Sequence, residues 1–398
     1  MKRVLLLGGS HFQVPSVKTA RDLGYYVITC DYSPDNPGHK YAHEYHNVST
    51  TDKDAVLKLS QSLKIDGIVC YASDPAAPTA AYVAEQMGLP GNPYHSVDIL
   101  ANKDKFRKFL RDNGFRVPRA QGYASFEAAL ADFDSFRCPV MVKPVDSSGS
   151  KGVSRIAAAN ELESAVQYAL RFSRSKRVII EEYVEKHGYQ IAGDGFSWNG
   201  ELVFRCFANE HFNADGNPFV PVGESWPYNM PRSVHDKVHA EIQRLLSLLK
   251  MQNGAYNFDI RIDQEGNPIL MEIGPRNGGN LIPQVTRYAT GVDMVAYTIK
   301  AAMGEDCSSL GMAEPEGFWS CYMVHSKRPG VFQGLEYDIL SKENNIVECS
   351  MLCKRGDRVD AFNGSNGTLG TMILRYDSMN EMLEKMDHME RYVHVMVG

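Results

Sequence analysis

No two of the eight cysteines stand in a Cys-x-x-Cys arrangement, and no lysine- or arginine-rich block interrupts the 398-residue chain. Cys30, Cys70, Cys138, Cys206, Cys307, Cys321, Cys349 and Cys353 are scattered, mostly inside apolar runs, which predicts reduced thiols rather than a disulfide framework. Cys349 and Cys353 share a strand-like stretch, yet no histidine or second pair joins them to complete a zinc set. With 42 basic against 48 acidic side chains the formal charge is −6, so neither nucleic acid nor an anionic membrane surface is an expected partner. A small anionic ligand stays open. No apolar stretch approaches the roughly 20 residues that span a bilayer. The run at residues 4–7, behind Lys2 and Arg3, is too short for a signal-peptide core. Internal repeats and low-complexity tracts are also absent. The expectation is a soluble, cytoplasmic protein.

What is present is alternation. Residues 4–7 read as a strand, 16–23 as a helix ended by Gly24, and 25–30 as a strand closed by Asp31. Thr51 and Asp54 open a helix through Leu63, and residues 67–71 form the next strand. Repetition of this unit predicts an open parallel sheet with helices on both faces. The turn Gly8, Gly9, Ser10 invites a dinucleotide reading, and a nicotinamide dehydrogenase is the rival that follows from it. Measured from Gly8, however, the Gly-x-Gly-x-x-Gly template finds Ser10 and Gln13 where its later glycines belong. Asp31 then reads as a turn residue or a small-substrate contact.

Gly91, Asn92 and Pro93 mark a first boundary, followed by an amphipathic helix at 103–113 and a helix introduced by Asn160 and Glu163. From Gly317 onward short strands and turns dominate, with one late helix from Ser378 capped by Glu381. At roughly 150 residues per domain the length fits two to three domains. The shifts in pattern favour three: 1–100, 101–310 and a small β-rich 311–398.

Pro139, Val140, Met141, Val142, Lys143 and Pro144 read as a buried strand ending in a lysine, followed by a loop with Ser147, Ser148, Gly149, Ser150, Lys151 and Gly152. Small residues leave backbone N–H groups free to converge on anionic oxygens while Lys143 and Lys151 neutralise charge, as a triphosphate requires. The same loop also fits an ordinary solvated hairpin. Residues 178–184 form an apolar strand that turns polar at Glu181 and Glu182, with backbone able to pair with an adenine edge.

Residues 256–273 read as a hairpin around a polar turn that holds Gly266. An even loop centred between Glu265 and Gly266 sets Asp259 across from Glu272, their Cβ atoms about 5 Å apart. Phe258, Ile260, Met271 and Ile273 then face the other way. Like charges that close need a proton or a cation, and Mg²⁺ satisfies both carboxylates. An odd loop would put them on opposite faces, and a solvated face with Arg261 neutralising Asp259 is the other reading. Beyond Glu272, a glycine-rich loop presents Arg276, Asn277 and Asn280, groups suited to phosphate and carboxylate. Arg287 reads as a carboxylate clamp or a surface charge. Residues 209–230, with Trp226 and Tyr228, read as an acceptor-pocket lining or a packed surface loop. His211 reads as a surface or pocket group rather than a metal ligand.

Taken in order, several motifs resemble the ATP-grasp superfamily. They are Asn102-Lys103 at a helix start, the strand ending in Lys143, the Ser/Gly loop, Glu181-Glu182-Tyr183-Val184, the hairpin of Asp259 and Glu272, Pro275-Arg276, and Thr290-Gly291-Val292-Asp293. Within the superfamily they look most like carbamoyl-phosphate synthetase large chain, biotin carboxylase and phosphoribosylglycinamide synthetase. The resemblance implies an α/β (α+β ATP-grasp) fold, with a Rossmann-like N-terminal domain, a two-part nucleotide clamp and a small, mostly β C-terminal domain. It implies that Lys103, Lys143 and the loop of Ser147, Ser148, Gly149 and Lys151 meet ATP phosphates, and that Glu181, Glu182 and Val184 form the adenine hinge. Asp259 and Glu272 would hold Mg²⁺, with Mn²⁺ as an alternative, and Arg276 would stabilise the transferred phosphoryl group.

Three places in the chain depart from that family. Gln190 stands where Glu usually contacts ribose, and Gly274 where an Asn often ligates metal, leaving Asn277 or Asn280 as substitutes. Leu281, Ile282 and Pro283 occupy the place of the acid that activates bicarbonate in biotin carboxylases, which argues against carboxylation. The expected activity is an ATP- and Mg²⁺-dependent carboxylate–amine ligase working through an acyl phosphate, with the 146–152 loop closing to exclude water. Its partners would be a small-molecule carboxylate and amine, an amino acid or small peptide-like acceptor by analogy, and a homodimer is compatible. The alternatives are a non-catalytic ATP-binding regulator, or a phosphoryl-activating enzyme like carbamoyl-phosphate synthetase or phosphoribosylglycinamide synthetase.

Overall fold

Arg3–Leu7, Tyr26–Cys30, Glu44–His46 and Gly67–Cys70 are parallel strands in the spatial order third, second, first, fourth. The computed structural model that shows this describes residues 1–212 and 217–398. Val4, Leu5, Leu6 and Leu7 are all buried because both faces of the sheet are covered, as parallel strands require. Val17 and Ala20 pack on one face and Val56 and Val83 on the other. Ile299 and Met303, from far along the chain, close the first of these faces. The Gly8 turn is filled by the chain itself. Gly9 N–H donates to Asp31 Oδ2 at 3.0 Å, Gln13 Oε1 accepts from Ser10 N–H at 3.0 Å, and a Cβ on Gly9 would collide with the His39 ring. Asp31 is therefore a turn residue, also accepting from Ser33 N–H and Asn36.

Two helix starts differ in detail from expectation. Asp52, not Thr51, caps Lys53–Leu63 by accepting from Ala55 N–H at 3.0 Å. Glu161, rather than Asn160 or Glu163, reaches back to the N–H groups of Ala157 and Ala158 ahead of Leu162–Phe172. Ser378 accepts from Glu381 N–H, as its spacing predicts.

A four-stranded antiparallel sheet runs in the order Ala120–Tyr123, Val178–Glu182, Val140–Pro144, Ser154–Ile156. Helices Phe126–Asp132 and Leu162–Phe172 bury Ala129, Leu162 and Val166 against it. The larger sheet has eight strands, ordered Pro268–Gly274, Gly254–Ile262, Gln190–Trp198, Glu201–Phe212, Pro221–Trp226, Phe318–Val324, Gly370–Tyr376, Ile346–Met351. Its last three members come from the C-terminal segment, which continues this sheet and adds a second one of three strands. Residues 209–212 and 221–226 are thus interior strand, and 213–216 lie outside the described residues. Trp226 and Tyr228 are buried in apolar cores and do not line the cleft described below. His211 is likewise buried, between Asp387 and Ser225, each 2.8 Å away. Among the described residues no helix is long and apolar enough to cross a membrane. All eight cysteines are free, and Cys138 and Cys349 are exposed rather than core thiols.

The hairpin reaches the expected pairing by a different route. Five residues, 263–267, separate strands Gly254–Ile262 and Pro268–Gly274, an odd loop, and near the turn Ile260 faces Leu270. A one-residue bulge at Met271 then shifts the register, so that Asp259 faces Glu272 and Phe258 faces Ile273. The bulge also changes the apolar side. Leu270, not Met271, joins Phe258, Ile260 and Ile273 in the core.

Candidate active site

The eight-stranded sheet, the antiparallel four-stranded sheet and the loops that follow the parallel strands enclose a cleft of about 860 Å³. Lys103, Lys143, Ser147, Ser148, Gly149, Lys151, Gln190, Asp259, Glu272 and Arg276 all line it. Lys103 stands at the start of helix Lys103–Asp112, and its Nζ reaches Glu272 Oε2 and the Ser147 carbonyl, each at 2.9 Å. The loop carries positive φ at Gly149, Ser150 and Gly152, and a Cβ on Gly149 would strike Ser365 Oγ, so the C-terminal segment lies directly against it.

Glu181, Glu182, Val184 and Arg287 are not among the cleft-lining residues. Glu181 lies beneath the cleft, 1% exposed, accepting from Lys143 Nζ and from Arg107 Nε at 2.9 Å. Burial opposes its ionisation, but the two cations outweigh burial and hold the carboxyl at about 2. Glu182 turns its carboxylate outward to Arg137 at 2.9 Å, while its N–H donates to the Arg119 carbonyl at 2.9 Å. The Val184 carbonyl accepts from Arg261 Nη1 at 2.6 Å. Arg287 is 67% exposed and pairs with Asp293 at 3.0 Å, so it occupies the surface position.

Asp259 has one buried oxygen, Oδ1, with no hydrogen-bond partner. Burial, reinforced by the facing Glu272 charge, pushes this carboxyl up to about 6. An orphaned carboxylate oxygen beside a second carboxylate is the donor set of a hard divalent cation, and these two residues fit Mg²⁺. Among the described residues no group of three or more His, Cys, Asp or Glu side chains is placed to hold a metal, so phosphate and water oxygens would complete the shell. Asn280 lines the cleft, whereas Asn277 is buried and accepts from Thr298 at 2.9 Å. Buried Asp194 fixes the glycine-rich loop by accepting from Gly278 N–H at 2.8 Å.

A polar rung across five strands was not foreseen from the sequence. Arg261 Nε donates to Gln190 Oε1 at 2.6 Å, and Gln190 Nε2 donates to Glu210 Oε2 at 2.5 Å. Glu210 faces Glu224 in register, and Cys321 Sγ donates to Glu224 Oε2 at 2.8 Å. Burial pushes Glu224 up to about 7, and burial with the Asp259 and Glu224 charges raises Glu210 well above its ordinary range. Strand alternation from Gln190 and from Glu210 was the available signal, had residues 209–230 been read as strands.

An ATP-grasp domain model matches residues 136–284. The formate-dependent phosphoribosylglycinamide formyltransferase of Burkholderia thailandensis is 32% identical over 294 residues, covering 69% of this chain and 69% of that protein. The chain belongs to the ATP-grasp superfamily. The carbamoyl phosphate synthase large chain of Thermoanaerobacter sp. (strain X514) is 25% identical over 244 residues, 61% of this chain and 22% of that one. The chain spans about half or less of several curated relatives it matches, 55% of one and 22% of another. In fold, the likeness to a solved structure extends over the whole length. The crystal structure of L-amino acid ligase from Bacillus licheniformis superposes with a TM-score of 0.84 at 21% identity, over 100% of this chain and 99% of that one.

Proposed function

We propose that the protein is an ATP- and Mg²⁺-dependent ligase that joins a carboxylate to an amine through an acyl phosphate. The observation that carries this reading is the convergence, in one cleft, of Lys103, Lys143, Lys151 and Arg276 with the facing carboxylates Asp259 and Glu272. Bound Mg²⁺ would supply Lewis-acid neutralisation of phosphate oxygens. A substrate carboxylate oxygen attacks the γ-phosphorus and ADP leaves. Lys143 and Arg276 spread the charge that develops on the moving phosphoryl group. The amine nitrogen then attacks the acyl carbon, phosphate leaves with the C–O bond electrons, and the amine proton passes to a base. The loop around Gly149, held against Phe219 and Ser365, keeps water from the acyl phosphate.

The L-amino acid ligase fold likeness favours amino acids as substrates. The test is ADP release from ATP and Mg²⁺ in a pool of the twenty amino acids whose carboxylates carry ¹⁸O. The expected result is one ¹⁸O transferred to each phosphate released. ADP release without label transfer would remove the acyl phosphate, and absence of ADP release would sink the amino-acid ligase.

A nucleotide-binding regulator without turnover is the second reading, favoured by Gln190, whose amide oxygen accepts from Arg261 and whose amide nitrogen donates to Glu210. It requires ATP affinity with no ADP formation in that same experiment.

A further inference from the structure

Asp74 comes from the first domain, just beyond strand Gly67–Cys70, and meets Arg276 from the far end of the catalytic hairpin. The two are joined at two points, Nε to Oδ1 and Nη2 to Oδ2, each at 2.6 Å. Arg276 Nη1 also donates to the Asn277 carbonyl at 3.0 Å. A guanidinium has five N–H donors in a rigid plane. Three are held, so the plane cannot turn, and one donor remains on each terminal nitrogen. Both residues line the cleft beside Lys103 and Glu272.

Gly274 shows that room is kept for this pair. A Cβ there would lie 3.0 Å from Asp74 Oδ1 and 3.3 Å from both Cζ and Nε of Arg276. A Cβ at 274 would crowd both partners, so that the carboxylate or the guanidinium would have to shift by a few tenths of an ångström. The bare backbone at this position and the two-point ion pair are therefore one feature, assembled from two domains.

We infer that Asp74 is a positioning residue: it fixes the plane of Arg276 so that the two remaining donors meet the phosphoryl group in transit, and Gly274 stays bare to admit it. This rests on the ATP reading above and adds to it a requirement for a residue outside the ATP-grasp domain. A domain latch alone would make a different demand. It would need the ion pair for stability and for every ligand equally, whereas positioning is felt only where charge moves.

The test measures binding to the full chain by calorimetry, with melting temperature alongside. The probes are Mg²⁺–ADP, and Mg²⁺–ADP with aluminium fluoride, which mimics the phosphoryl group in flight. Asp74→Asn is expected to bind Mg²⁺–ADP within about twofold of the wild type and the fluoride complex about tenfold or more weakly, with Asp74→Glu recovering part of the difference. Equal loss of both ligands, or no loss of either, in folded Asp74→Asn overturns the inference. Should that variant not fold, Gly274→Ala faces the same criteria, since it crowds the ion pair without removing a charge. A wild-type chain that binds no ADP overturns the nucleotide reading and this inference together, a result distinct from equal loss in the variant.

Discussion

Asp259→Asn lowers ATP-dependent ADP release by about 100-fold or more, because the metal that neutralises phosphate charge contributes several kcal/mol to such a transition state. Asparagine keeps the shape of the side chain and removes only its charge. In the ligand-free protein that charge is a liability. The side chain is half-buried, faces Glu272 across the hairpin, and leaves its buried Oδ1 without a partner. Its removal should therefore raise the melting temperature while activity falls, the trade expected where a site is built for a ligand rather than for stability. Glu272→Gln is expected to lose activity to a similar degree without the gain in stability, since it deprives Lys103 Nζ of its ion pair at 2.9 Å. The measurement is ADP release against Mg²⁺ concentration, with thermal melting of the same samples. A fall in activity that only follows a fall in melting temperature would sink the metal role of Asp259.

How far the site can be read from sequence depends on how local each contact is. Alternation and turn residues announce the hairpin, yet the pairing of Asp259 with Glu272 survives only because a bulge at Met271 corrects an odd loop. Two departures from the simple register cancel, and neither is visible in residue type. The basic cleft residues Lys143 and Lys151 were legible because they sit at the end of an apolar strand and in a small-residue loop, whereas Lys103, at the start of an amphipathic helix, was legible only through the family resemblance. Glu181 was assigned through its backbone, while its carboxylate does separate work under the cleft, since a strand ending in two glutamates does not say which one turns inward. Asp74 was out of reach. It lies 202 positions from Arg276 in the chain, and only tertiary packing brings them together. Residues 209–230 were legible only in part. Glu210, Phe212, Pro218, Phe219, Pro221 and Glu224 do line the cleft, as a pocket reading expects, but the segment also supplies inner strands of a wide sheet, where Glu210 and Glu224 face each other, and its glycine, proline and aromatic residues do not announce those strands.

Glu181→Ala is expected to destabilise the fold by about 3–5 kcal/mol, the cost of leaving buried cations without their counter-charge. Arg107 is 3% exposed, and it keeps only the Leu270 carbonyl, at 3.3 Å, once the carboxylate is gone. The network also ties three elements: helix Lys103–Asp112 through Arg107, strand Val140–Pro144 through Lys143, and strand Val178–Glu182 through Glu181 itself. Glu181→Gln should cost less, since an amide oxygen can still accept from one cation. The pH dependence separates charge from packing. The folded-state carboxyl is depressed from the ordinary 4.5 to about 2, so its contribution is fully present above 4.5 and is lost as pH falls from 4.5 towards 2. In urea titrations the stability gap between wild type and Glu181→Ala should therefore be constant near neutrality and narrow through that acid window. A gap that stays constant down to the lower limit would assign the loss to packing, and a gap under about 1 kcal/mol at pH 7 would remove the ion network from the forces that hold the clamp together.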